Sequence, residues 1–211
     1  MTSNPIIQDP ATGAPQSRRD QLLLIAAHLI ASRGYSATTV RDIADEAGIL
    51  SGSLYHHFSS KEAILEEILR SFLDDLLARF QTISDAGLDP RETFDELIAY
   101  AFVTIDSKPD AVALYQNESS FLYRQRGFEF VAEKSQQIEM IWLSTMRAGQ
   151  AAGVFRPELD VQLTYRFIRD AVWATVKWYR HGGRNTVETV RDQCLALLHH
   201  GMLDPASASS H

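Results

Sequence analysis

Apolar residues recur three and four positions apart along nearly the whole chain, which is the spacing of amphipathic helices. The first run starts near Arg18 and brings five apolar side chains to one face, at Leu22, Ile25, Ala26, Leu29 and Ile30. No run alternates apolar and polar residues with the period of two that strands require. The sequence therefore predicts an all-α protein.

Capping signals divide this pattern into about nine helices. Thr39 with Asp42, and Ser59 with Glu62, have the spacing of capping boxes and predict the starts of the second and fourth helices. Ser51 is the expected N-cap of a short third helix. Later helices are expected to start near Pro90, Pro109, Glu129, Asp160 and Asn185. We expect the helix that starts after Asp160 to continue to about His181.

The negative charge of the chain lies outside its first quarter. The formal net charge is −7, yet residues 1–61 contain five basic and five acidic side chains. The whole negative surplus therefore lies beyond Lys61. Because an acidic chain does not hold nucleic acid by bulk attraction, any binding to DNA is expected to depend strongly on its sequence.

Composition predicts four segments: a flexible arm at 1–16, a small helical domain at 17–61, a larger one at 62–204 and a disordered tail at 205–211. No apolar run approaches the roughly 18 residues of a membrane-spanning helix, and the N-terminus lacks the order of a signal peptide. Cys194 is the single cysteine and is expected to be a small buried hydrophobe. These features indicate a cytoplasmic protein that does not associate with membranes.

Residues 17–61 hold three short helices, the last two separated only by residues 48–50, as in a helix-turn-helix. If Leu54 and Phe58 face the core, the opposite side of the third helix is polar. That side comprises Ser51, Gly52, Ser53, Tyr55 and His56, with His57 near the boundary. Such groups hydrogen-bond to base edges and phosphates in a major groove. Arg41 and Lys61, on either side of this helix, are the expected phosphate contacts.

Two other interpretations of Tyr55, His56 and His57 remain open. The cluster has metal-ligating side chains, but adjacent histidines point in divergent directions on a helix. No cysteine or carboxylate stands at an obvious ligand spacing, so we predict no metal site. The cluster is also compatible with a solvated helix end that has no binding role.

The segment TTVRDIADEAGILSGSLYHHFSSKEAIL, residues 38–65, resembles the DNA-binding signature of the TetR family of bacterial repressors. The resemblance implies a nine-helix subunit, a homodimer formed through the last two helices, and a C-terminal pocket whose ligand releases operator DNA. By motif position, it also implies DNA contacts at Thr39, Arg41, Ser51, Gly52, Ser53, Tyr55, His56, His57 and Lys61.

Basic and aromatic residues alternate along the predicted helix from Val161 to His181. Arg169, Trp173, Lys177 and Arg180 are spaced so that they share one broad face of a continuous helix, with Arg166 nearby. Guanidinium and ammonium groups beside aromatic rings suit an anionic ligand with a flat ring. Salt bridges to a partner subunit, with Trp173 in the core, explain the same spacing equally well.

Two segments, RDIADEAGILSGSLYHHF and FRPELDVQLTYRFIRDAVWATVKWYRHGG, resemble an actinobacterial branch of the family that represses late steps of cholesterol and steroid degradation. That resemblance implies an effector that is the coenzyme A (CoA) thioester of a bicyclic indanedione-propanoate. It implies ligand contacts at Arg169, Trp173 and Lys177, and no cofactor.

Two further functions remain open. One is a repressor of the same family that responds to a fatty acyl-CoA, an aromatic compound or a drug. The other is a helical enzyme acting on acyl-CoA. No Ser-His-Asp, Cys-His or paired-carboxylate set can be assembled from the sequence, so we predict no catalytic residues and no enzyme activity.

Overall fold

Nine α-helices and one 3₁₀ helix account for most of the described residues, 17–122 and 125–203, of this computed structural model. The α-helices are α1 Arg18–Arg33, α2 Val40–Glu46, α3 Ser51–Tyr55, α4 Lys61–Ser84, α5 Pro90–Ser107, α6 Pro109–Leu122, α7 Glu129–Ala151, α8 Val161–Ala174 and α9 Val187–Met202. The all-α prediction is confirmed. The predicted arm at 1–16 and the predicted tail at 205–211 lie outside the described residues.

The capping box predicted at Thr39 is present. The Thr39 side chain accepts a hydrogen bond from the backbone of Asp42, and the Asp42 carboxylate accepts one from the backbone of Thr39. The Ser51 prediction is wrong, because Leu50 is the N-cap of α3 and makes no side-chain capping bond. The Leu50 carbonyl already accepts hydrogen bonds from residues 53 and 54, so the helix begins one residue early.

Two other predicted starts are also displaced by one residue. Helix α4 is capped by Ser60 rather than Ser59, since the Ser60 hydroxyl accepts a hydrogen bond from the backbone N–H of Ala63. Helix α9 is capped by Thr186, whose side chain accepts from the backbone N–H of Thr189, rather than by Asn185. Adjacent polar residues offer alternative caps, and the sequence alone does not choose between them.

The predicted helix from Val161 to His181 is wrong in its second half. Helix α8 ends at Ala174 and is followed by the 3₁₀ helix Thr175–Lys177. The Thr175 carbonyl accepts from the backbone of Trp178 (3.1 Å) and of Tyr179 (2.8 Å). The buried Tyr179 donates a 2.6 Å hydrogen bond from its hydroxyl to Asp106 on α5, which keeps this segment against α5.

The described residues form two compact units. The first, called here the head unit, comprises 17–75, 108–122 and 125–134. It holds α1 to α3, the first part of α4, α6 and the start of α7. Within it α1 packs against α6 and α2, and α2 packs against α3. The predicted small domain 17–61 lies within this larger unit, and its boundary at residue 61 stays a prediction.

The second, called the body unit, comprises 76–107 and 135–203, and in it α5 packs against α8 and α9. Its core contains an aromatic cluster in which Trp142 meets Phe80 and Phe94 edge to face, with ring centres 5.7 and 5.8 Å apart. Phe155 joins the cluster through Phe94 at 5.5 Å. None of the helices in the described residues is both long and apolar enough to cross a bilayer.

Candidate DNA-binding face and effector cavity

Helix α3 divides into a buried side and an exposed side, as the sequence predicts. Leu54 and Phe58 are only 1% and 4% exposed and anchor the helix in the head unit. Tyr55 is 56% exposed although it is a large aromatic residue. Gly52, Ser53 and His56 are exposed with it, while Ser51 and His57 are half-buried. The structure therefore brings the predicted polar groups together on one accessible face.

Two residues at the start of α2, the helix that precedes α3 in the sequence, also have exposed side chains. Thr39 is exposed, and its hydroxyl donates a 2.6 Å hydrogen bond to the Asp42 carboxylate. Hydrogen bonds from the Thr39 side chain and backbone lower the pKa of Asp42. Arg41 is exposed, and among the residues that the structure describes its ion pair is with Asp45, at 3.7 Å, so most of its hydrogen-bonding capacity is available to a phosphate.

Lys61 is directed into the protein. Its ammonium donates 2.7 Å hydrogen bonds to the carbonyl oxygens of Tyr35 and Thr38, and it lies 4.1 Å from the centre of the Tyr35 ring. An ammonium group has three donors, and two of them are engaged here. The predicted phosphate contact at Lys61 stays a prediction, while the contacts observed hold the loop between α1 and α2.

Two arginines that the sequence analysis did not single out also hold the helix-turn-helix in place. The Arg19 guanidinium bonds to the carboxylate of Glu67 and the carbonyl of His57, and lies 4.2 Å from the centre of the Phe58 ring. Arg18 donates a 2.9 Å hydrogen bond to the carbonyl of Ala47, at the end of α2. Both contacts span many residues along the chain, so no local pattern indicates them.

His56 and His57, which follow α3, do not join a metal-binding group within the described residues. No cluster of three or more histidine, cysteine or acidic side chains occurs in 17–122 and 125–203.

A small cavity in the body unit brings together two of the three predicted ligand-binding residues. Its volume is about 20 Å³, enough for a single water molecule. Its lining consists of Ala101, Ile138, Trp142, Tyr165, Ile168, Arg169, Val172 and Trp173. The predicted residues Arg169 and Trp173 both lie here, whereas Lys177 does not. The cavity is apolar except for one cationic group and one phenol.

Arg169 supplies the cationic group at this cavity. Its Nε donates a 2.8 Å hydrogen bond to the carboxylate of Asp170, and its side chain is 41% exposed. The guanidinium carbon lies 5.6 Å from the centre of the Tyr165 ring. Trp173 is 7% exposed and belongs to the core. The site thus places a partly solvated cation beside an enclosed indole.

The remaining residues of the predicted basic face are separated by the end of α8. Lys177 is exposed on the 3₁₀ helix. Arg180 donates to the carbonyl oxygen of Tyr179 at 2.7 Å instead of projecting beside Arg169. The prediction that Arg169, Trp173, Lys177 and Arg180 share one face of one helix is therefore wrong, because α8 ends at Ala174, Lys177 lies on the 3₁₀ helix and Arg180 lies beyond it.

Arg79 on α4 is a further unusual group of the body unit. Its Nε and Nη2 atoms are buried and have no hydrogen-bond partner within the described residues. Its guanidinium carbon lies 5.5 Å from the centre of the Tyr100 ring, which is a weak substitute for an anion. The sequence analysis missed this residue, since its burial depends on packing between distant segments.

Helices α8 and α9 present large apolar side chains to solvent in the isolated chain. Leu163 and Phe167, four residues apart on α8, are 52% and 75% exposed. Leu197 on α9 is 76% exposed. Exposed apolar groups at helical spacing are typical of surfaces that contact another protein chain.

Two family descriptions match the chain. Residues 22–68 match "Bacterial regulatory proteins, tetR family", and residues 87–202 match "Tetracyclin repressor-like, C-terminal domain". The first match includes the whole of α2 and α3, and the second includes the cavity.

Several proteins are similar to this chain over most of their length. The HTH-type transcriptional repressor KstR2 of Rhodococcus jostii (strain RHA1) is 47% identical over 194 residues, which is 92% of this chain and 95% of the relative. The solved structure of the ketosteroid transcriptional regulator KstR2 of Mycobacterium tuberculosis is 46% identical, with a TM-score of 0.88 over 91% of this chain and 98% of that one. AibR, solved in complex with isovaleryl coenzyme A and operator DNA, has a TM-score of 0.77 over 86% of this chain and 97% of that one. At 21% identity, that likeness concerns the fold alone.

Proposed function

The chain belongs to the TetR family of bacterial regulatory proteins, and we propose that it binds a near-palindromic operator as a homodimer and is released by a CoA thioester. It is a helix-turn-helix transcriptional repressor and not an enzyme, as its family and its relatives are regulators. The operator, the symmetry of the complex and the effector are the proposed parts. Since the target is chromosomal DNA, we place the protein in the cytoplasm.

The observation that carries the DNA-binding proposal is the division of α3 into two sides. Leu54 and Phe58 are buried, whereas Tyr55 is 56% exposed. Hydroxyl and imidazole groups on such a helix reach base edges, and Arg41 supplies charge for a phosphate. With a net charge of −7, the chain gains little from non-specific attraction to DNA. We therefore infer that its affinity depends strongly on DNA sequence.

The dimer that we propose forms through α8 and α9. Family members usually dimerise, and Phe167 and Leu197 leave apolar surface exposed in the single chain. A two-fold dimer would present two copies of α3 to half-sites separated by about 34–36 Å, one turn of DNA. A near-palindromic operator follows from that symmetry.

We propose that the effector is the CoA thioester of a steroid-degradation intermediate. A solved relative is named a ketosteroid regulator, which supports a polycyclic apolar group. The cavity beside Trp173 is lined mainly by apolar side chains, as such a group requires. Arg169, which is partly exposed, is suited to an anionic part of the ligand. Lys177 lies outside the cavity, where it would meet a phosphate that extends from it.

Binding would require the cavity to enlarge. It measures about 20 Å³, while pockets for ligands of this class hold roughly 300–1,000 Å³. The effector would therefore bind an open form better than the form described here, and this differential affinity is what shifts the equilibrium. Coupling energies of about 1–3 kcal/mol are typical of such regulators. We propose that α4, one continuous helix from Lys61 to Ser84, transmits the change.

A second candidate effector class is supported by the same cavity. Fatty acyl-CoA esters, aromatic acids and drugs also combine an apolar body with a polar end. The single guanidinium at the cavity favours anions over cations, because a cationic drug would meet Arg169 as a like charge. We therefore rank anionic effectors above cationic ones.

Fluorescence anisotropy with duplex DNA tests the first part of the proposal. DNA selected by the protein from a random pool should bind at least about 1,000-fold more tightly than a scrambled duplex of equal length. Replacing Tyr55 and His56 together with alanine should abolish that preference, whereas Met140→Ala, at an exposed side chain of α7, should leave it unchanged. Equal affinity for both duplexes would contradict operator binding.

A thermal-shift titration tests the effector. We expect stabilisation by steroid-derived CoA thioesters, a smaller shift with the free acids, and none with cationic drugs. Arg169→Gln, at a partly exposed side chain that should tolerate the change, should weaken binding about tenfold or more. Trp173→Ala, at an indole that lines the cavity, should also weaken binding. Trp178→Ala, at an indole that is 59% exposed and lies outside the cavity, is its matched control. Stabilisation by cationic drugs alone would contradict the proposed ligand class.

A further inference from the structure

Leu50 breaks two local preferences at one position. It is 80% exposed, more than any other large hydrophobic side chain in the described residues. It is also the N-cap of α3, where serine, threonine, asparagine or aspartate would satisfy a free backbone N–H, and it makes no side-chain capping bond. A single exposed leucine is ordinary in a protein surface. A leucine that is both exposed and placed where a polar cap is preferred indicates a functional position.

Backbone hydrogen bonds hold Leu50 in place. Its carbonyl accepts hydrogen bonds from the backbone N–H of Ser53 at 2.8 Å and of Leu54 at 3.3 Å. Its φ of −71° and ψ of 144° are ordinary extended values. The backbone is therefore unstrained and does not explain why a leucine occupies this position. Because Leu54 is buried, these bonds tie the position of Leu50 to the core of the head unit.

This position is at the end of α3 that would approach the bases. The N-terminal residues of a recognition helix contact base edges in the major groove. Leu50 is followed by Ser51, Gly52 and Ser53, which are the polar and backbone groups already assigned to that contact. Leu50 therefore adds an apolar side chain to a face that is otherwise polar.

The major groove offers one apolar group, the 5-methyl of thymine. Cytosine in its place presents an amino group and no methyl. We propose that Leu50 contacts the 5-methyl group of one thymine in each operator half-site and thereby makes that base pair specificity-determining. This inference rests on the proposed operator binding, and it specifies one further contacting residue and the base that it contacts.

A methyl-deletion cycle tests this contact. The probe is duplex DNA selected by the wild-type protein from a random pool, with each thymine replaced in turn by uracil. Uracil pairs identically but lacks the methyl group. One thymine in each half-site should respond. Replacing it in one half-site should weaken wild-type binding roughly fourfold, and replacing it in both should weaken binding roughly fifteenfold. Leu50→Ala should bind the selected DNA more weakly than wild type does. Its binding should not change when uracil replaces that thymine, but it should keep the wild-type response to uracil at the other positions. Leu24→Ala, at a leucine 60% exposed on α1, is the control and should behave as wild type.

A second variant separates this role from a structural one. Leu50→Ser introduces a favourable N-cap, so it should unfold at a higher temperature than wild type. It should nevertheless lose both affinity for the selected DNA and discrimination between thymine and uracil. A lower melting temperature for this variant would indicate that Leu50 is structural and would overturn the inference.

Other outcomes are equally decisive. If Leu50→Ala keeps the full wild-type response to uracil at every position, the thymine contact is wrong while operator binding stands. The same conclusion follows if Leu50 contacts a protein instead, because DNA affinity would then be unchanged in both variants. If the wild-type chain selects no sequence from the pool, operator binding and the Leu50 contact are both overturned.

Discussion

The ammonium nitrogen of Lys61 lies 2.7 Å from the carbonyl oxygen of Tyr35 and 4.1 Å from the centre of the Tyr35 ring. A third contact, 2.7 Å long, joins Lys61 to the carbonyl of Thr38. Thr38 precedes Thr39, the N-cap of α2. The first turn of α4 therefore fixes the loop from which α2 starts, and the position of the DNA-binding face depends on this lysine.

Lys61→Met should destabilise the protein by about 2 kcal/mol, since it removes two charge-assisted hydrogen bonds, one to the carbonyl of Tyr35 and one to the carbonyl of Thr38. Denaturant unfolding measures this effect. Lys177→Met, at an exposed lysine on the 3₁₀ helix, should change the free energy of unfolding by less than about 0.5 kcal/mol.

The same variant distinguishes the loop contact from a phosphate contact. A phosphate contact adds about one unit to the slope of log binding constant against log salt concentration. We expect that slope to be unchanged in Lys61→Met and to fall by about one unit per subunit in Arg41→Met, whose guanidinium is exposed. A reduced slope for Lys61→Met would instead support the phosphate contact predicted at Lys61.

Glu62 should make the stability of the protein depend on pH in the acid range. A hydrogen bond from its own backbone, with others from Tyr35 and Ser60, lowers the pKa of Glu62 below its ordinary 4.5. A lowered folded-state pKa gives stability that is present above the unfolded value and is lost as pH falls through the folded one. Glu62→Gln should therefore be less stable than wild type at pH 7, and the difference should shrink as pH falls through the lowered folded-state pKa of Glu62.

Thermal unfolding between pH 7 and pH 3 measures this difference. Glu133→Gln, at an exposed glutamate of the head unit, is the control and should stay parallel to wild type throughout. A constant difference between Glu62→Gln and wild type at all pH values would show that the carboxylate charge is not responsible.

Local signals in the sequence were sufficient for most of the fold. The Thr39–Asp42 capping box and the burial of Leu54 and Phe58 involve residues within four positions of one another, and the structure confirms them. For the same reason the exposed face of α3 could be predicted. A local pattern needs no knowledge of the tertiary structure.

Features set by distant residues could not be predicted. Helix α8 was expected to continue beyond Ala174, but Tyr179 bonds to Asp106, which is 73 residues away, and the helix ends early. The hydrogen bonds of the Lys61 ammonium to residues 23 and 26 positions earlier were not predicted either, while its DNA contact stays a prediction. Charge and helical spacing are visible in a sequence, whereas the distant group to which a side chain hydrogen-bonds is not.

The proposed dimer interface predicts the effect of two charge substitutions. Phe167→Asp and Leu197→Asp should each raise the dimer dissociation constant at least about 100-fold, because each dimer contains two copies and a buried apolar side chain contributes about 1.5–3 kcal/mol. Sedimentation velocity measures the change. Met140→Asp, at a side chain 55% exposed on α7, should leave the dimer intact. A monomeric wild-type protein would contradict the proposal.

Arg79→Met should stabilise the protein by about 1–2 kcal/mol. Two nitrogens of the Arg79 guanidinium are buried without partners in the described part of the chain, and a buried unpaired charge is costly. Methionine keeps the apolar stem that packs near Tyr100. Arg147→Met, at an exposed arginine of α7, should be neutral. If Arg79→Met is instead destabilising, an ion or water molecule bound to the guanidinium supplies the missing partner.

Gly149→Ala should destabilise the body unit although it improves the helix propensity of α7. A Cβ at residue 149 would lie 2.1 Å from Cδ2 of Phe155, which is 2% exposed and packs against Phe94. Displacing this ring costs roughly 1–3 kcal/mol, more than the gain of about 1 kcal/mol from replacing glycine in a helix. Denaturant unfolding should therefore show a net loss.

Gly52→Ala on α3 isolates the helix-propensity effect on unfolding, because a Cβ there meets nothing within 4 Å. We expect this variant to be stabilised by up to about 1 kcal/mol. The two substitutions are chemically identical and both lie in helices, so opposite signs of the change in unfolding free energy would establish that the Phe155 ring requires glycine at 149. A gain in stability for Gly149→Ala would mean that the ring moves at little cost and that the aromatic core of the body unit is loosely packed there.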